Sequence, residues 1–331
     1  MRRVLHHVLA ALLVLGLAVF VAACGGDDDS SSSTKTDDVS LTQGRDLTIA
    51  VITHGEGDTF WSVAKKGAEQ AGKDMGVTVK YSESANDPQK HAQLIDSAVT
   101  EKVDGIATSV PNADALRDPL KKAADAGIPI VTLNSGQSDS AALGAITHVG
   151  QDEGVAGEAA GKRLAESASG KLLCVVHEQG NTGLEERCAG AKKGFGGEVE
   201  NVQVKGVNDI ATSTTELQSK LQSDKDITAV LTLNPDIAVA ARDAVQGASS
   251  DAKLATFDLS GDVVKAVKAG EIEFAVDQQQ YLQGYLPVVF LTLFNTNANT
   301  VGGGLPVLTG PGFVDKSNAD TVEQLATEGT R

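Results

Sequence analysis

The sequence has few of the residues from which catalytic and metal sites are built. Its 331 residues include three cysteines and six histidines, and His6 and His7 lie in an N-terminal segment expected to be removed. His177 follows Cys174 by three residues on one predicted strand, so their side chains point to opposite faces. Neither metal-ligand spacing nor a glycine-rich phosphate loop after the first strand occurs. We therefore predict no enzymatic activity, no catalytic or metal-binding residue and no cofactor.

Basic residues are also scarce relative to acidic ones. Lysine and arginine number 28 against 44 aspartates and glutamates, a formal charge of −16. Without Arg2 and Arg3 of the N-terminal segment, 26 basic residues face 44 acidic ones, which gives −18. This excess of negative charge argues against nucleic acid or anionic lipid headgroups as partners.

The N-terminus has the order of a secretory signal peptide. Arg2 and Arg3 precede an apolar run over 8–23, which is shorter than the roughly 20 residues of a comfortable membrane span. The run ends in Val-Ala-Ala directly before Cys24 and resembles a bacterial lipobox, in which the cysteine is lipidated. The alternative is an ordinary signal peptide with a chance cysteine. We predict a signal peptide over 1–23 and lipidation of Cys24.

The segment after Cys24 is predicted to be a tether. Residues 25–36 read GGDDDSSSSTKT and contain no apolar side chain, so they cannot contribute to a core. A flexible segment over 24–45 would let an anchored domain move away from a membrane surface. The expected location is the cell envelope, lipid-anchored on the outer side of the cytoplasmic membrane or in the periplasm.

From residue 47 onward, strand and helix patterns alternate. Short β-branched runs followed by helical spacing predict parallel sheets with helices on both faces. About ten strands in two groups favour two doubly wound domains over one very wide sheet or a (β/α)₈ barrel. The predicted strands are 47–53, 77–81, 105–110, 128–133, 145–149, 171–177, 201–207, 227–233, 253–258 and 273–277, and the predicted helices are 60–75, 88–102, 112–126, 152–167, 184–194, 214–223, 235–246, 262–269 and 282–294.

Polar and aromatic residues recur where the predicted strands end. Ligands of open α/β sheets bind beyond the carboxyl ends of the strands, here in the cleft between two domains. Phe60 and Trp61, the latter the single tryptophan, offer flat faces that stack on sugar rings, although helix-start packing would equally explain them. The polar side chains suit a molecule with many hydroxyl groups. They are Asp58, Asn134, Glu178, Arg187, Asn208, Asn234, Asp258 and Gln278.

Two further cysteines allow a disulfide. Cys174 lies in an apolar strand-like run and Cys188 near the start of the next helix. A pair in an exported protein favours a bridge, which would add roughly 3 kcal/mol of stability for a loop of about 15 residues. Two reduced, buried thiols are the alternative.

Several of these segments together resemble the type I periplasmic solute-binding proteins of the ribose-binding group, from Leu47 to about Asp315. The matching segments are 58–61 (DTFW), 128–134 (IPIVTLN), 185–190 (EERCAG), 230–234 (VLTLN), 255–258 (ATFD), and 276–278 (VDQ) ahead of 281–284 (YLQG). The resemblance implies two lobes that close on a ligand around a three-strand hinge, and a monomer that delivers its ligand to an ABC permease. It implies an N-terminal lobe of 46–149 plus 279–307, a C-terminal lobe of 150–278 plus 308–331, and crossovers near Gly150, Gln278 and Leu308.

The same resemblance implies ligand contacts by position. Phe60 and Trp61 would stack on the ligand, and Arg187 would neighbour Asp258. The hydrogen-bonding residues would be Asp58, Asn134, Arg187, Asn234, Asp258 and Gln278.

Two departures from the group argue against ribose as the ligand. Asn134-Ser135 stands where ribose binders carry an Asp-Arg pair, and Asn208 stands where they tend to carry an aromatic ring. Another pentose, a hexose, an acyclic polyol or inositol would fit, and Asn208 as an added hydrogen-bonding group favours a more hydroxylated or acyclic ligand.

Two alternatives share the fold. A transcription regulator would carry a helix-turn-helix before the first strand, where this sequence has the predicted signal peptide and tether. A receptor for a sugar or for autoinducer-2 that feeds a membrane sensor, rather than a permease, could have the same site.

Overall fold

The computed structural model describes residues 46–331. The predicted signal peptide, Cys24 and the tether lie outside the described residues. Within this range no helix is long and apolar enough to cross a membrane. The same residues contain no group of histidine, cysteine, aspartate and glutamate side chains that could hold a metal ion.

The described chain forms two six-stranded sheets. The first has the order β11-β5-β4-β3-β1-β2 and is parallel throughout. The second has the order β12-β10-β9-β8-β6-β7 and is parallel except for β12, which pairs antiparallel with β10. The strands are β1 Thr48–Thr53, β2 Thr78–Glu83, β3 Gly105–Ser109, β4 Ile130–Leu133, β5 Thr147–Gly150, β6 Lys171–Val176, β7 Glu198–Gln203, β8 Ile227–Thr232, β9 Lys253–Phe257, β10 Phe274–Asp277, β11 Val307–Leu308 and β12 Gly312–Asp315.

Helices cover both faces of each sheet. They are α1 Thr59–Met75, α2 Pro88–Thr100, α3 Ala113–Asp125, α4 Glu153–Ala165, α5 Thr182–Phe195, α6 Ile210–Ser223, α7 Pro235–Gly247, α8 Gly261–Ala269, α9 Gln280–Asn297 and α10 Glu323–Glu328. We call the first sheet with α1, α2, α3 and α9 the first lobe, and the second sheet with the other helices the second lobe. The predicted fold class, two doubly wound α/β lobes, is confirmed.

Each sheet separates two apolar clusters. Strand β1 shows why: Ile49 and Val51 pack on the face covered by α1 and α9, whereas Ala50 and Ile52 pack on the face covered by α2 and α3. A strand buried on both faces reads as a continuous apolar run because neither side chain set meets water.

The chain passes between the sheets three times, because β5, β10 and β11 are each followed by an element of the other lobe. These passages place the carboxyl ends of both parallel sheets on either side of one cleft.

The predicted strand over 201–207 is wrong in position. The strand there is Glu198–Gln203, an edge strand whose exposure follows no clear two-residue alternation. Gly206 then adopts a positive φ of 81°, and helix α6 begins at Ile210 because the Asp209 side chain accepts the Thr212 N–H. The short strands β11 and β12 were not predicted, so residues 46–331 form twelve strands rather than ten.

Candidate functional site

Eight of the nine predicted ligand-binding residues line one cavity of about 320 Å³ in the cleft. This volume includes space that is open to solvent. We call it the inner cavity. From the first lobe come Asp58, Phe60, Trp61 and Asn134; from the second lobe and its last crossover come Arg187, Asn234, Asp258 and Gln278.

The aromatic floor is built at the start of α1. The rings of Phe60 and Trp61 are buried and meet edge to face, with centroids 4.8 Å apart. The Trp61 ring lies so close to the backbone that a Cβ at Gly55 would fall 1.9 Å from its Nε1. Glycine at this position therefore lets the indole lie against the loop after β1.

Asp58 caps α1 and faces the other lobe. Its Oδ1 accepts the Trp61 N–H at 2.8 Å and its Oδ2 accepts the Asn234 side-chain amide at 3.1 Å across the cleft. Burial raises the pKa of Asp58 to about 8, opposed by the Trp61 N–H and assisted by nearby acidic groups. Asn234 caps α7 in turn, with its Oδ1 2.8 Å from the Asp236 N.

Arg187 lies near enough to Asp258 for its charge to act on that carboxyl, but its hydrogen-bonded partner is Glu153, which was not predicted. Its Nε and Nη2 donate to the two Glu153 carboxylate oxygens at 2.6 and 2.8 Å, and both side chains are buried. The guanidinium also lies 4.7 Å from the centroid of the Phe257 ring. Glu153, at the start of α4, thus neutralises the one arginine of the cavity.

Asp258 is held by the crossover residue Gln278. The Gln278 side-chain nitrogen Nε2 donates to Asp258 Oδ1 at 2.6 Å, and the side-chain oxygen Oε1 of Gln278 lies 3.4 Å from the Asn134 side-chain nitrogen. Burial raises the pKa of Asp258 to about 7, and the charge of Arg187 opposes it. Asn134 and Asp258 have positive φ values of 60° and 73°, a conformation that asparagine and aspartate tolerate better than most residues. It follows that Gln278 links one cavity-lining residue of each lobe.

Asn208 does not line the cavity, and the prediction that places it there is wrong. Because β7 ends at Gln203 and the chain turns at Gly206, Asn208 falls in an exposed turn before α6. The preference for an acyclic ligand that rested on Asn208 loses its support.

Sequence reasoning missed His54, His177 and Asn181 as cavity residues and did not carry Glu178 into the site. His54 directly follows β1, and Asn181 is the cap of α5, so the strand-end and capping patterns could have indicated both. Burial lowers the pKa of His177 to about 4, which keeps its imidazole neutral.

Residues 49–293 match the periplasmic binding protein domain family. The chain belongs to this family. It is 44% identical, with a TM-score of 0.85, to a carbohydrate transporter from Acidothermus cellulolyticus 11B whose crystal structure contains myo-inositol; the match covers 87% of this chain and 100% of that one. It is 26% identical to the ribose import binding protein of Haemophilus influenzae, over 76% of this chain and 86% of that protein. It is 27% identical to the fructose import binding protein of Bifidobacterium longum, over 70% and 74%.

Membership in the periplasmic binding protein family confirms the predicted class. Its members include the solute-binding components of sugar ABC transporters, which bind their solute without transforming it. The cleft between the two lobes is accordingly a binding site and not an active site.

The two lobes of this binding protein touch directly across the cleft. Thr59 donates its backbone N–H and its hydroxyl to the Asp236 carboxylate, at 3.1 and 2.7 Å. Thr182 donates both of its donors to the Pro111 carbonyl at 3.1 Å. The structure is therefore a closed arrangement of the lobes.

A disulfide joins Cys174 to Cys188. It connects β6 to α5, and Cys188 directly follows Arg187. The bridge thus ties the helix that carries the arginine of the cavity to a strand inside the second sheet.

Proposed function

We propose that this binding protein captures a neutral cyclic polyol, with myo-inositol as the foremost candidate, and delivers it to an ABC permease. The observation that carries the proposal is the charge balance of the inner cavity. Glu153 neutralises Arg187, and the remaining polar side chains are carboxylates, amides, the Ser135 hydroxyl and the imidazoles of His54 and His177. Such a cavity disfavours an anionic ligand and suits hydroxyl groups, which donate to carboxylates and accept from amides.

The aromatic floor adds the preference for a ring. Phe60 and Trp61 present apolar surface beneath a rim of hydrogen-bonding groups, the arrangement that a cyclic polyol with apolar C–H faces would fill. The myo-inositol found in the relative from Acidothermus cellulolyticus supports the same choice. Asn134 and Ser135, where ribose binders carry an Asp-Arg pair, argue against ribose.

We further propose the attachment and the division of the chain. Lipidation of Cys24 after removal of 1–23 would anchor the protein outside the cytoplasmic membrane, with 24–45 as the tether. Residues 46–149 plus 279–307 would move against 150–278 plus 308–331 when the monomer opens and closes.

Isothermal titration calorimetry tests the ligand. We expect myo-inositol to bind with a Kd in about the micromolar range, equivalent to roughly 8 kcal/mol, and more tightly than ribose, glucose, sorbitol or autoinducer-2. Binding of autoinducer-2 or an acyclic polyol in preference to every ring would contradict the proposal.

A pair of capping variants serves as a matched control. Asp58→Ala and Asp209→Ala each remove an aspartate that caps a helix, α1 and α6 respectively, and each should cost about 1 kcal/mol of stability. Only Asp58 lines the inner cavity, so only Asp58→Ala should abolish the binding heat. Equal affinities of the two variants would remove Asp58 from the site.

A further inference from the structure

The cleft holds a second cavity beside the inner one. This outer cavity has about 470 Å³ of empty space, part of it open to solvent, and lies between the loops after β1, β2 and β3 of the first lobe and the β6–α5 loop of the second. Three residues line both cavities: His54, Glu178 and Asn181. They therefore form a wall between the two spaces.

The Glu178 carboxylate is the centre of this wall. Its Oε2 accepts the Asn181 amide at 2.7 Å and lies 3.3 Å from His54 Nε2, and its Oε1 accepts the Asn86 amide at 3.3 Å. Since His54 and Asn86 belong to the first lobe, the wall is completed only when the lobes meet. His54, Glu178 and Asn181 are 3%, 8% and 4% exposed, so little space is left between them.

The partners of Glu178 are themselves fixed. Ser109 Oγ accepts the His54 backbone N–H at 2.9 Å and lies 2.8 Å from His54 Nδ1, which it can supply with its own proton. The His54 Nε2 atom then lies 3.3 Å from both Glu178 Oε2 and the Asn181 amide nitrogen. Burial would raise the pKa of Glu178, but His54 and Asn181 together hold it well below its ordinary value, so the carboxylate stays charged and hydrogen-bonded.

The outer cavity has the character of a small-ligand pocket. It combines polar side chains, such as Asn112 and His91, with the apolar surface of Leu116 and Pro88. Because its empty space includes open solvent, a further sugar unit beyond the wall would lie partly in this cavity and partly in solvent.

We propose that Glu178 determines ligand size: its side chain closes the inner cavity to any ring that carries a second sugar unit. The wild-type protein then accepts a single ring. Without the Glu178 side chain the two cavities join, and a glycoside binds with its second ring in the outer cavity. This inference rests on the proposed function, that is, on a cyclic polyol in the inner cavity.

Calorimetric titration with myo-inositol and with galactinol, its galactoside, tests the proposal. We expect wild-type protein to bind galactinol at least about 100-fold more weakly than myo-inositol, because an intact wall rejects the second ring. In Glu178→Ala the ratio should fall to within about 10-fold, even if both affinities drop through loss of the contacts between the lobes.

Two further variants test whether the volume of the Glu178 side chain, rather than its charge or the loss of any nearby glutamate, excludes the second ring. Glu178→Gln keeps the volume of the side chain and should reject galactinol as the wild type does. Glu185→Ala removes an exposed glutamate from the following helix, α5, outside both cavities, and should leave both affinities unchanged.

The outcomes distinguish this proposal from the proposed function. Wild-type protein that binds both probes equally, or a Glu178→Ala variant that keeps myo-inositol and still rejects galactinol, would overturn the role of Glu178 alone. Wild-type protein that binds neither probe would overturn the choice of ligand and, with it, this proposal.

Discussion

Arg187 contributes to the cleft as one half of a buried ion pair. Its guanidinium group donates hydrogen bonds to Glu153 and to the Leu233 carbonyl. The rest of the guanidinium surface lies toward the cavity. The resemblance indicated Arg187, but Glu153 lies 34 residues earlier on another helix. The role of Glu153 as the partner of Arg187 could not be predicted from the sequence, because it depends on how α4 packs against α5.

Removing Arg187 should therefore expose the cost of an unpaired buried carboxylate. We expect Arg187→Met to lose about 3–5 kcal/mol of unfolding free energy. Glu153→Gln in the same chain should restore most of that loss, whereas ligand binding should stay absent in both. Urea unfolding measures the stability and calorimetry measures the ligand binding. Equal stability of the single and double variants would show that the unpaired Glu153 carboxylate is not the cause of the loss.

Asp258 should make stability depend on pH. Its pKa is about 7 in the folded chain, against an ordinary 3.8, mainly because of burial. Between these values the folded chain holds a proton on Asp258 that the unfolded chain lacks, so the contribution of Asp258 to the unfolding free energy falls as pH rises from about 4 to about 7 and then levels. Asp58, whose pKa is about 8, adds a second fall that continues to about pH 8.

Asp258→Asn should remove the contribution of Asp258 and so reduce the fall by at most about 4 kcal/mol over this range, leaving the part that comes from Asp58. Asparagine tolerates the positive φ at this position, and the exposed Asp251→Asn serves as the control. Urea unfolding from pH 4.5 to 8 makes the comparison. Parallel curves for wild type and Asp258→Asn would mean that Asp258 is ionised throughout.

The cavity residues show which parts of the site can be predicted from the polar residues that follow the strands. Asp58, Asn134, Asn234 and Asp258 follow strands whose apolar runs are plain in the sequence, and all four line the cavity. Asn208 fails because β7 is a partly exposed edge strand, whose end is not marked by a buried run.

At the scale of elements, α4 and α5 approach closely through glycines. A Cβ at Gly157 would lie 2.1 Å from the Arg187 carbonyl oxygen, and one at Gly190 would lie 2.2 Å from the Gly154 carbonyl oxygen. Because α4 carries Glu153 and α5 carries Arg187, this approach is what brings the ion pair together.

Gly157→Ala should force the helices apart. We expect a loss of about 1–3 kcal/mol from overpacking, and weaker ligand binding because the backbone of Arg187 is the group displaced. Gly154→Ala is the matched control on the same helix, since its Cβ would meet only the Asp152 side chain at 3.5 Å, and it should be neutral or slightly stabilising. Thermal unfolding and calorimetry of the two variants make the test; similar behaviour of both would contradict it.

The central elements were predictable and the edges were not. Strands such as β1, β3 and β8 are buried runs bounded by helices, so composition alone marks them. Strands β11 and β12 have two and four residues, and they exist because the returning chain pairs with β5 and β10. That pairing is a property of the whole fold.

At the scale of the whole molecule, the closed arrangement is held in part by direct contacts between the two lobes that do not involve a ligand. The Thr59 hydroxyl donates a hydrogen bond to Asp236 across the cleft at 2.7 Å. Neither residue lines the inner cavity. Any ligand that requires the closed arrangement benefits from such a contact, because the contact shifts the equilibrium between open and closed forms.

Thr59→Val keeps the shape of the side chain and removes this hydrogen bond. We expect about a 5- to 10-fold weaker affinity, corresponding to roughly 1 kcal/mol, by the same factor for every ligand that binds. Thr215→Val, at an exposed position on α6, should change nothing. Calorimetry on several ligands decides: a change in their order of affinity would place Thr59 in ligand selection instead.

The most direct test of the central claim is a fluorescence titration of Trp61 with myo-inositol. Trp61 is the single tryptophan of the sequence and lines the inner cavity, so its emission reports on the cleft without a label. We predict a saturable change with one ligand bound per chain and a Kd that agrees with calorimetry. Binding heat without a change in Trp61 emission, or no binding of myo-inositol by folded protein, would contradict a cyclic polyol held between the lobes.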